Sequence, residues 1–246
     1  MKILEFNKVY LTYFSDNGET QALKDISFSI NEGEFVSIVG PSGCGKTTIL
    51  SLVSGLIKPT SGEIIFNNIN NSFVGYMFQK DNLFEWRTVK ENVYIGLEIQ
   101  KKKTKENTDY VDELLKKYNL WEFRNKYPRQ LSGGMRQRVA LIRTLALKPK
   151  ILLLDEAFSA LDYQTRLNVC DDVFSIIKQM NLTAILVTHD ISEAISMSDK
   201  IIILSSRPAT VKKEIKLDLS HLGSPFKRRE SKEAKGYFEP IWSELM

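Results

Sequence analysis

Two glycine-rich segments constrain this chain more than anything else in it. The first reads Gly40-Pro41-Ser42-Gly43-Cys44-Gly45-Lys46-Thr47-Thr48. The second, Leu131-Ser132-Gly133-Gly134-Met135-Arg136-Gln137-Arg138, also opens a helix but has no Lys-Thr pair of its own. Glycines at a helix start let backbone N–H groups crowd round an anion, and the positive end of the helix dipole adds to the attraction. One complete phosphate loop and one detached Ser-Gly-Gly helix start suggest a site shared between two copies of the chain.

The flanks of the first segment support this reading. Glu34-Phe-Val-Ser-Ile-Val39 is short, apolar and β-branched, which predicts a buried strand, and Lys46 to Ile57 carries apolar residues at helical spacing. Strand, glycine loop and helix form the context that G-x-x-x-x-G-K-[ST] requires. Lys46 would then reach the β- and γ-phosphates of a nucleotide, and the Thr47 hydroxyl would bind Mg²⁺. Cys44 lies inside the loop, where its side chain is expected to be a spacer. A second buried strand, Ile151-Leu152-Leu153-Leu154, runs into Asp155-Glu156. Open α/β sheets bind ligands at such strand ends. Asp155 would hold Mg²⁺ through its water shell, and Glu156 would polarise the attacking water as general base.

With these residues in place, the chain resembles the ATP-binding subunits of ABC transporters over nearly its whole length. The motifs stand in the family's order: the phosphate loop, Gln79 after Val74-Gly-Tyr-Met-Phe78, Leu131-Ser-Gly-Gly-Met135, Asp155-Glu156, Ser159-Ala-Leu-Asp162, and Thr188-His189-Asp190. Glu85-Trp-Arg-Thr-Val-Lys-Glu-Asn-Val93 and Ile203-Leu-Ser-Ser-Arg-Pro208 further resemble the importers of nitrate, sulfonates and taurine. The resemblance implies an α/β P-loop core of the ABC ATPase type, with an N-terminal antiparallel β-layer and a helical insert. It implies ATP and Mg²⁺ as cofactors. The implied partners are a second copy of the chain in an ATP-sandwich dimer, transmembrane permease subunits and, indirectly, an extracellular solute-binding protein. The implied place is the cytoplasmic face of the membrane.

Residue roles follow from the same resemblance. Gln79 would couple Mg²⁺ and the attacking water to the loop that meets the permease. Ser132, Gly133 and Gly134 would cap the γ-phosphate of the ATP on the opposite subunit, and Asp162 would cross the dimer interface. His189 would hydrogen-bond the γ-phosphate and steady the water, and Tyr13 would stack on adenine, with Phe14 as the alternative. Taken alone, Gln79 reads as a loop glutamine and His189 as a hydrogen-bonded structural residue. Arg136 and Arg138 are expected to have no catalytic role.

Composition narrows the remaining classes. The chain has 246 residues, 43% hydrophobic and 26% charged, as in an ordinary globular protein. Two cysteines give no disulfide framework and fit a reducing compartment, and no apolar run reaches the length of a membrane span. Net charge is +4. The basic runs Lys101-Lys-Lys103 with Lys105, and Lys227-Arg-Arg229, read as solvated faces. Neither run has aromatic stacking residues interleaved, so no nucleic-acid partner is expected. Related ATPases of translation or DNA repair resemble tandem cassettes or carry long coiled coils, and this chain shows neither. A module with a dead site is disfavoured because each catalytic position is filled.

The motif spacing predicts one ABC ATPase domain over 1–246. Residues 1–31 read as strands with a turn at Asp16-Asn17-Gly18, covering the base side of the nucleotide. Residues 32–80 and 150–205 form the nucleotide-binding core, and 81–149 are mostly helical, including Thr108 to Tyr118. Residues 206–246 read as a tail interrupted at Pro208, Pro225 and Pro240.

Overall fold

The computed structural model describes residues 1–16, 18–67 and 73–245; the central residue of the expected turn, Asn17, lies outside them. Nine strands occur among the described residues. They are Lys2–Ser15 (β1), Gly18–Asn31 (β2), Phe35–Val39 (β3), Ser61–Phe66 (β4), Val74–Met77 (β5), Ile151–Asp155 (β6), Thr183–Val187 (β7), Lys200–Leu204 (β8) and Val211–Lys216 (β9). They form an antiparallel sheet in the order β2-β1-β4 and a six-stranded sheet in the order β5-β6-β7-β3-β8-β9. All neighbours in the larger sheet are parallel except β9, which runs antiparallel to β8. Every residue of β3, β6, β7 and β8 is buried. Their near-continuous Ile, Leu and Val runs are what parallel strands covered on both faces require.

The alternation of side chains along these strands divides the core. Leu152, Leu154, Ala184 and Leu186 pack on one side, under the helices Val89–Ile99 (α2), Lys105–Lys117 (α3), Gly133–Leu145 (α4) and Tyr163–Gln179 (α5). Ile151, Leu153, Ile185 and Val187 pack on the other, against Lys46–Val53 (α1) and the antiparallel sheet. In β8, Ile202 and Leu204 join this second cluster. Ile201 and Ile203 instead meet the helices Ile191–Met197 (α6) and Lys232–Leu245 (α8). The fold is therefore α/β, with the antiparallel β-layer and helical insert that the resemblance implied. The β-layer recruits β4 from beyond α1, so it is not confined to the first 31 residues.

Two helix limits differ from the periodicity. Helix α1 stops at Val53 rather than Ile57, because Gly55 takes φ +74° and Leu56 N–H turns back to the Ser51 carbonyl. A left-handed glycine just past the last turn is the usual helix stop. Helix α3 starts at Lys105, ahead of Thr108, because the Thr104 side chain accepts from Asn107 N–H as an N-cap.

The segment after residue 206 departs further from its expectation. It supplies β9 as the antiparallel edge of the core sheet, then Pro225–Glu230 (α7) and α8. Pro225 sits in the first turn of α7, where its missing N–H is not needed, and Pro240 lies inside α8. The solvated reading of Lys227-Arg-Arg229 is also corrected. Arg228 is only 2% exposed, and its Nη1 donates to the carbonyls of Ser196 (3.4 Å) and Ser198 (3.3 Å) at the end of α6. Terminal helix carbonyls lack intrahelical partners, so a buried guanidinium there has acceptors to satisfy it.

Candidate active site

Between β3 and α1 the chain has six residues, Gly40 to Gly45, in which to reverse onto a helix start. Gly43 (φ +72°) and Gly45 (φ +120°) take backbone conformations open to glycine, and Cys44 N–H closes the turn on the Pro41 carbonyl at 3.2 Å. The Cys44 thiol is buried, and that burial pushes its pKa up, which fits an inert spacer. Lys46 Nζ lies back across the loop, donating to the carbonyls of Gly40 (2.8 Å) and Pro41 (3.0 Å). A cavity of about 260 Å³ opens here, lined by Ser42, Gly43, Gly45 to Thr48, Glu156 and Arg207. The Tyr13 hydroxyl lies 3.3 Å from Thr48 Oγ1. Strand alternation turns the next residue, Phe14, to the other face, so Tyr13 is the aromatic beside the loop.

The acidic pair sits where β6 ends. Thr47 Oγ1 donates to Asp155 Oδ1 (3.1 Å), and the Tyr76 hydroxyl donates to Asp155 Oδ2 (2.9 Å). Burial and then the Asp155 charge push the Tyr76 hydroxyl far above the ordinary tyrosine range, so it remains a donor that orients the carboxylate. Glu156 takes φ +46° while its N–H bonds the Val187 carbonyl at 2.9 Å. Its Oε2 accepts from Gln79 Nε2 (3.3 Å) and lies 3.4 Å from His189 Nδ1. Gln79 Nε2 also donates to Ser159 Oγ at 3.2 Å. The C-terminal ends of β5, β6 and β7 thus bring Gln79, Glu156 and His189 together at the phosphate loop. A carboxylate placed between an amide and an imidazole can take a proton from water facing a bound phosphate.

The oxygen donors Thr47, Asp155 and Gln79 suit a hard divalent cation such as Mg²⁺. Among the described residues no three His, Cys, Asp or Glu side chains gather as a metal cage. Such an ion would draw its other ligands from phosphate oxygens and water, as Mg²⁺ commonly does.

Ser132, Gly133 and Gly134 lie elsewhere, and none of them lines the phosphate cavity. Ser132 caps α4 by accepting from Met135 N–H (3.3 Å). Gly134 lies so close to α5 that an added Cβ would stand 2.9 Å from Thr165 Cγ2. Asp162 caps α5 by accepting from Thr165 N–H (3.1 Å), and hydrogen bonds from Thr165 hold its carboxyl below the ordinary range. Arg136 pairs with Asp81 (2.9 Å) and Arg138 with Asp172, so both tie helices to their neighbours. Buried Gln137, between them, donates to the Ala157 carbonyl just after Glu156. Tyr76, Ser159, Gln137 and Arg207 stand inside segments quoted above, but no individual role was expected of any of them.

Behind His189, the Asp190 side chain accepts from Glu193 N–H (3.0 Å) and caps α6. Glu193 is 3% exposed, and burial raises its carboxyl pKa. Thr188, Arg229 and Arg166 pull it down, Asp190 pushes it up, and the Cys170 thiol lies 3.9 Å away. A raised carboxyl favours the protonated folded state. This contribution to stability is therefore full below the unfolded value of 4.5 and is lost as pH rises through the folded pKa. Glu193→Gln is expected to melt higher than wild type at neutral and alkaline pH, with the gap closing towards pH 4. Thermal melts across that range check it, and a gap that grows in acid would overturn the sign.

Fold, phosphate loop and acidic strand end together define a P-loop ATPase. The chain belongs to the ABC transporter family, whose family profile (described as "ABC transporter") matches residues 23–159. The uncharacterized ABC transporter ATP-binding protein YtlC of Bacillus subtilis is 45% identical, over 100% of this chain and 96% of its own length. The taurine import ATP-binding protein TauB of Ruegeria pomeroyi is 38% identical, over 96% of this chain and 90% of its own. Among solved structures, the dimeric post-hydrolysis state of the ATP-binding cassette MJ0796 bound to ADP and Pi matches with a TM-score of 0.73. That match has 35% identity and covers 87% of this chain and 98% of the other.

Proposed function

We propose that this chain is the ATP-hydrolysing subunit of an importer of small solutes of the taurine, sulfonate or nitrate kind. The observation that carries the reading is the split of the site. Lys46, Thr47 and Glu156 line one cavity, and Asp155, Gln79 and His189 each come within 3.4 Å of Thr47 or Glu156, whereas Ser132 to Gly134 are absent from that lining. A second copy supplies the missing cap. Two chains close on two ATP molecules, each held by one chain's loop and covered by the other's Ser132, Gly133 and Gly134, with Asp162 at the interface. The dimeric neighbour bound to ADP and Pi supports this arrangement.

Mg²⁺, when bound, neutralises phosphate charge, and Thr47, Asp155 and Gln79 would hold it. Glu156 takes the proton of the attacking water, and His189 orients the γ-phosphate. Tyr13 stacks on adenine at the edge of the β-layer. Hydrolysis removes the contact that held the two chains together. The change passes through Gln79 to the groove lined by Asp81, Leu83, Glu85 and Arg136, beside the exposed Trp86, where a permease would dock.

No helix among the described residues is long and apolar enough to cross a membrane. As an import ATP-binding subunit similar to TauB, the chain would be held at the cytoplasmic face by its permease, with an extracellular binding protein choosing the solute. Purification of the tagged chain from its native cell in mild detergent tests this. A multi-span permease and a secreted binding protein are expected with it, and screening that binding protein names the solute. Recovery of ribosomes, DNA or no membrane protein would overturn the importer reading.

A further inference from the structure

The turn between β8 and β9 contributes a cation, Arg207, to the phosphate cavity, a residue to which no role was assigned from the sequence. Its backbone is fixed to both sheets. Ser205 N–H bonds the Thr210 carbonyl (3.0 Å) and Thr210 N–H returns to Ser205 Oγ (2.9 Å). Ala209, fully buried, donates to the Ala22 carbonyl (2.9 Å) and accepts from Lys24 N–H (2.8 Å) in β2. The same stretch of β2 touches the loop, since a Cβ on Gly45 would lie 2.9 Å from Leu23 Cδ2. The end of β8 touches it too, with Leu204 Cβ 3.1 Å from where a Cβ on Gly40 would stand.

From this fixed turn Arg207 reaches back to the loop. Its Nη2 donates to the Gly43 carbonyl at 2.8 Å, and its side chain forms part of the cavity wall with Ser42 and Gly43. Among the described residues that bond is the only one its guanidinium makes, and no carboxylate pairs with it. A guanidinium has five N–H donors in a planar fork, so one edge can hold a carbonyl while the other faces an anion.

We propose that Arg207 is a second cation of the nucleotide site, which holds the loop at Gly43 and adds positive charge along the phosphate chain. The inference rests on Gly40 to Thr48 being the nucleotide's phosphate loop. Lys46 and Arg207 then stand on different elements of one cavity, with Glu156 as its acid. Charge-assisted bonds of this kind strengthen binding to phosphate and leave an uncharged ligand unaffected.

The test compares binding of ADP and of adenosine to the full chain, wild type against R207A, R207K and R207Q, by calorimetry. R207A is expected to bind ADP about tenfold more weakly at low salt, with the gap narrowing as salt rises. Adenosine, which has no phosphates, should bind R207A and wild type within about twofold of each other. R207K should recover part of the ADP affinity, because it keeps the charge without the fork. If R207A melts early, R207Q, which keeps most of the stem, carries the same comparison. ADP affinity unchanged in both neutral variants overturns the proposal, as does an equal loss for adenosine, which would mean that Arg207 merely supports the fold. Wild type that binds no ADP would instead overturn the phosphate-loop reading beneath it.

Discussion

Replacing Glu156 by Gln is expected to leave ATP bound while slowing its hydrolysis roughly 10²–10⁴-fold, the scale for losing a general base. The substitution is nearly isosteric and makes no new demand on the φ of +46° at this position. Lys46, Thr47 and the loop backbone, which would hold the phosphates, do not touch the altered atom. What changes is the acceptor placed 3.3 Å from Gln79 Nε2 and 3.4 Å from His189 Nδ1, since an amide cannot take a proton at neutral pH. Phosphate release under saturating ATP measures the loss. Gel filtration with ATP should show the variant accumulating as a dimer, because the nucleotide that joins two chains is no longer consumed. Near-normal turnover would remove Glu156 from the role of base.

The contrast between Glu156 and Tyr76 shows how much of this site was legible in advance. Glu156 is readable because its neighbours in sequence are its neighbours in function: four aliphatic residues make a buried strand, and the strand end aims the acids. Gln79 and His189 also each follow a short apolar strand, but their roles came only with the family resemblance. The parallel sheet then does the rest, since all such strand ends fall on one edge. Tyr76 and Arg207 act across the fold. Tyr76 meets Asp155 only because β5 pairs with β6 in a register that sets Tyr76 opposite Leu153. Arg207 meets Gly43 only because β8 lies beside β3. Neither pairing leaves a local trace in residue type or spacing. The same limit explains the segment after residue 206. Its prolines and charges describe local chemistry, whereas its place is decided by an edge of the sheet and the end of α6.

Replacing Arg228 by Ala is the second large effect, and it falls on stability. This side chain is 2% exposed, lies over the Phe174 ring at 4.8 Å and donates to the carbonyls of Ser196 and Ser198. Removing it leaves a cavity against α5 and two carbonyls without their donor. The expected cost is about 2–4 kcal/mol. In a chain of this size that lowers the melting temperature by roughly 5–15 °C. Part of the cost is offset because a buried cation, its pKa lowered by burial, no longer needs to be kept out of water. Arg228→Met separates the two terms, since it fills most of the volume and donates nothing. It should fall between wild type and R228A in thermal melts. An R228M protein as stable as wild type would show that packing alone matters and that the bonds to α6 contribute nothing. The functional consequence follows from where α6 begins, directly after His189 and Asp190. Loosening its far end should make ATP turnover in R228A fail at a lower temperature than in wild type. If R228A instead melts and turns over like wild type, the C-terminal helices do not brace α6.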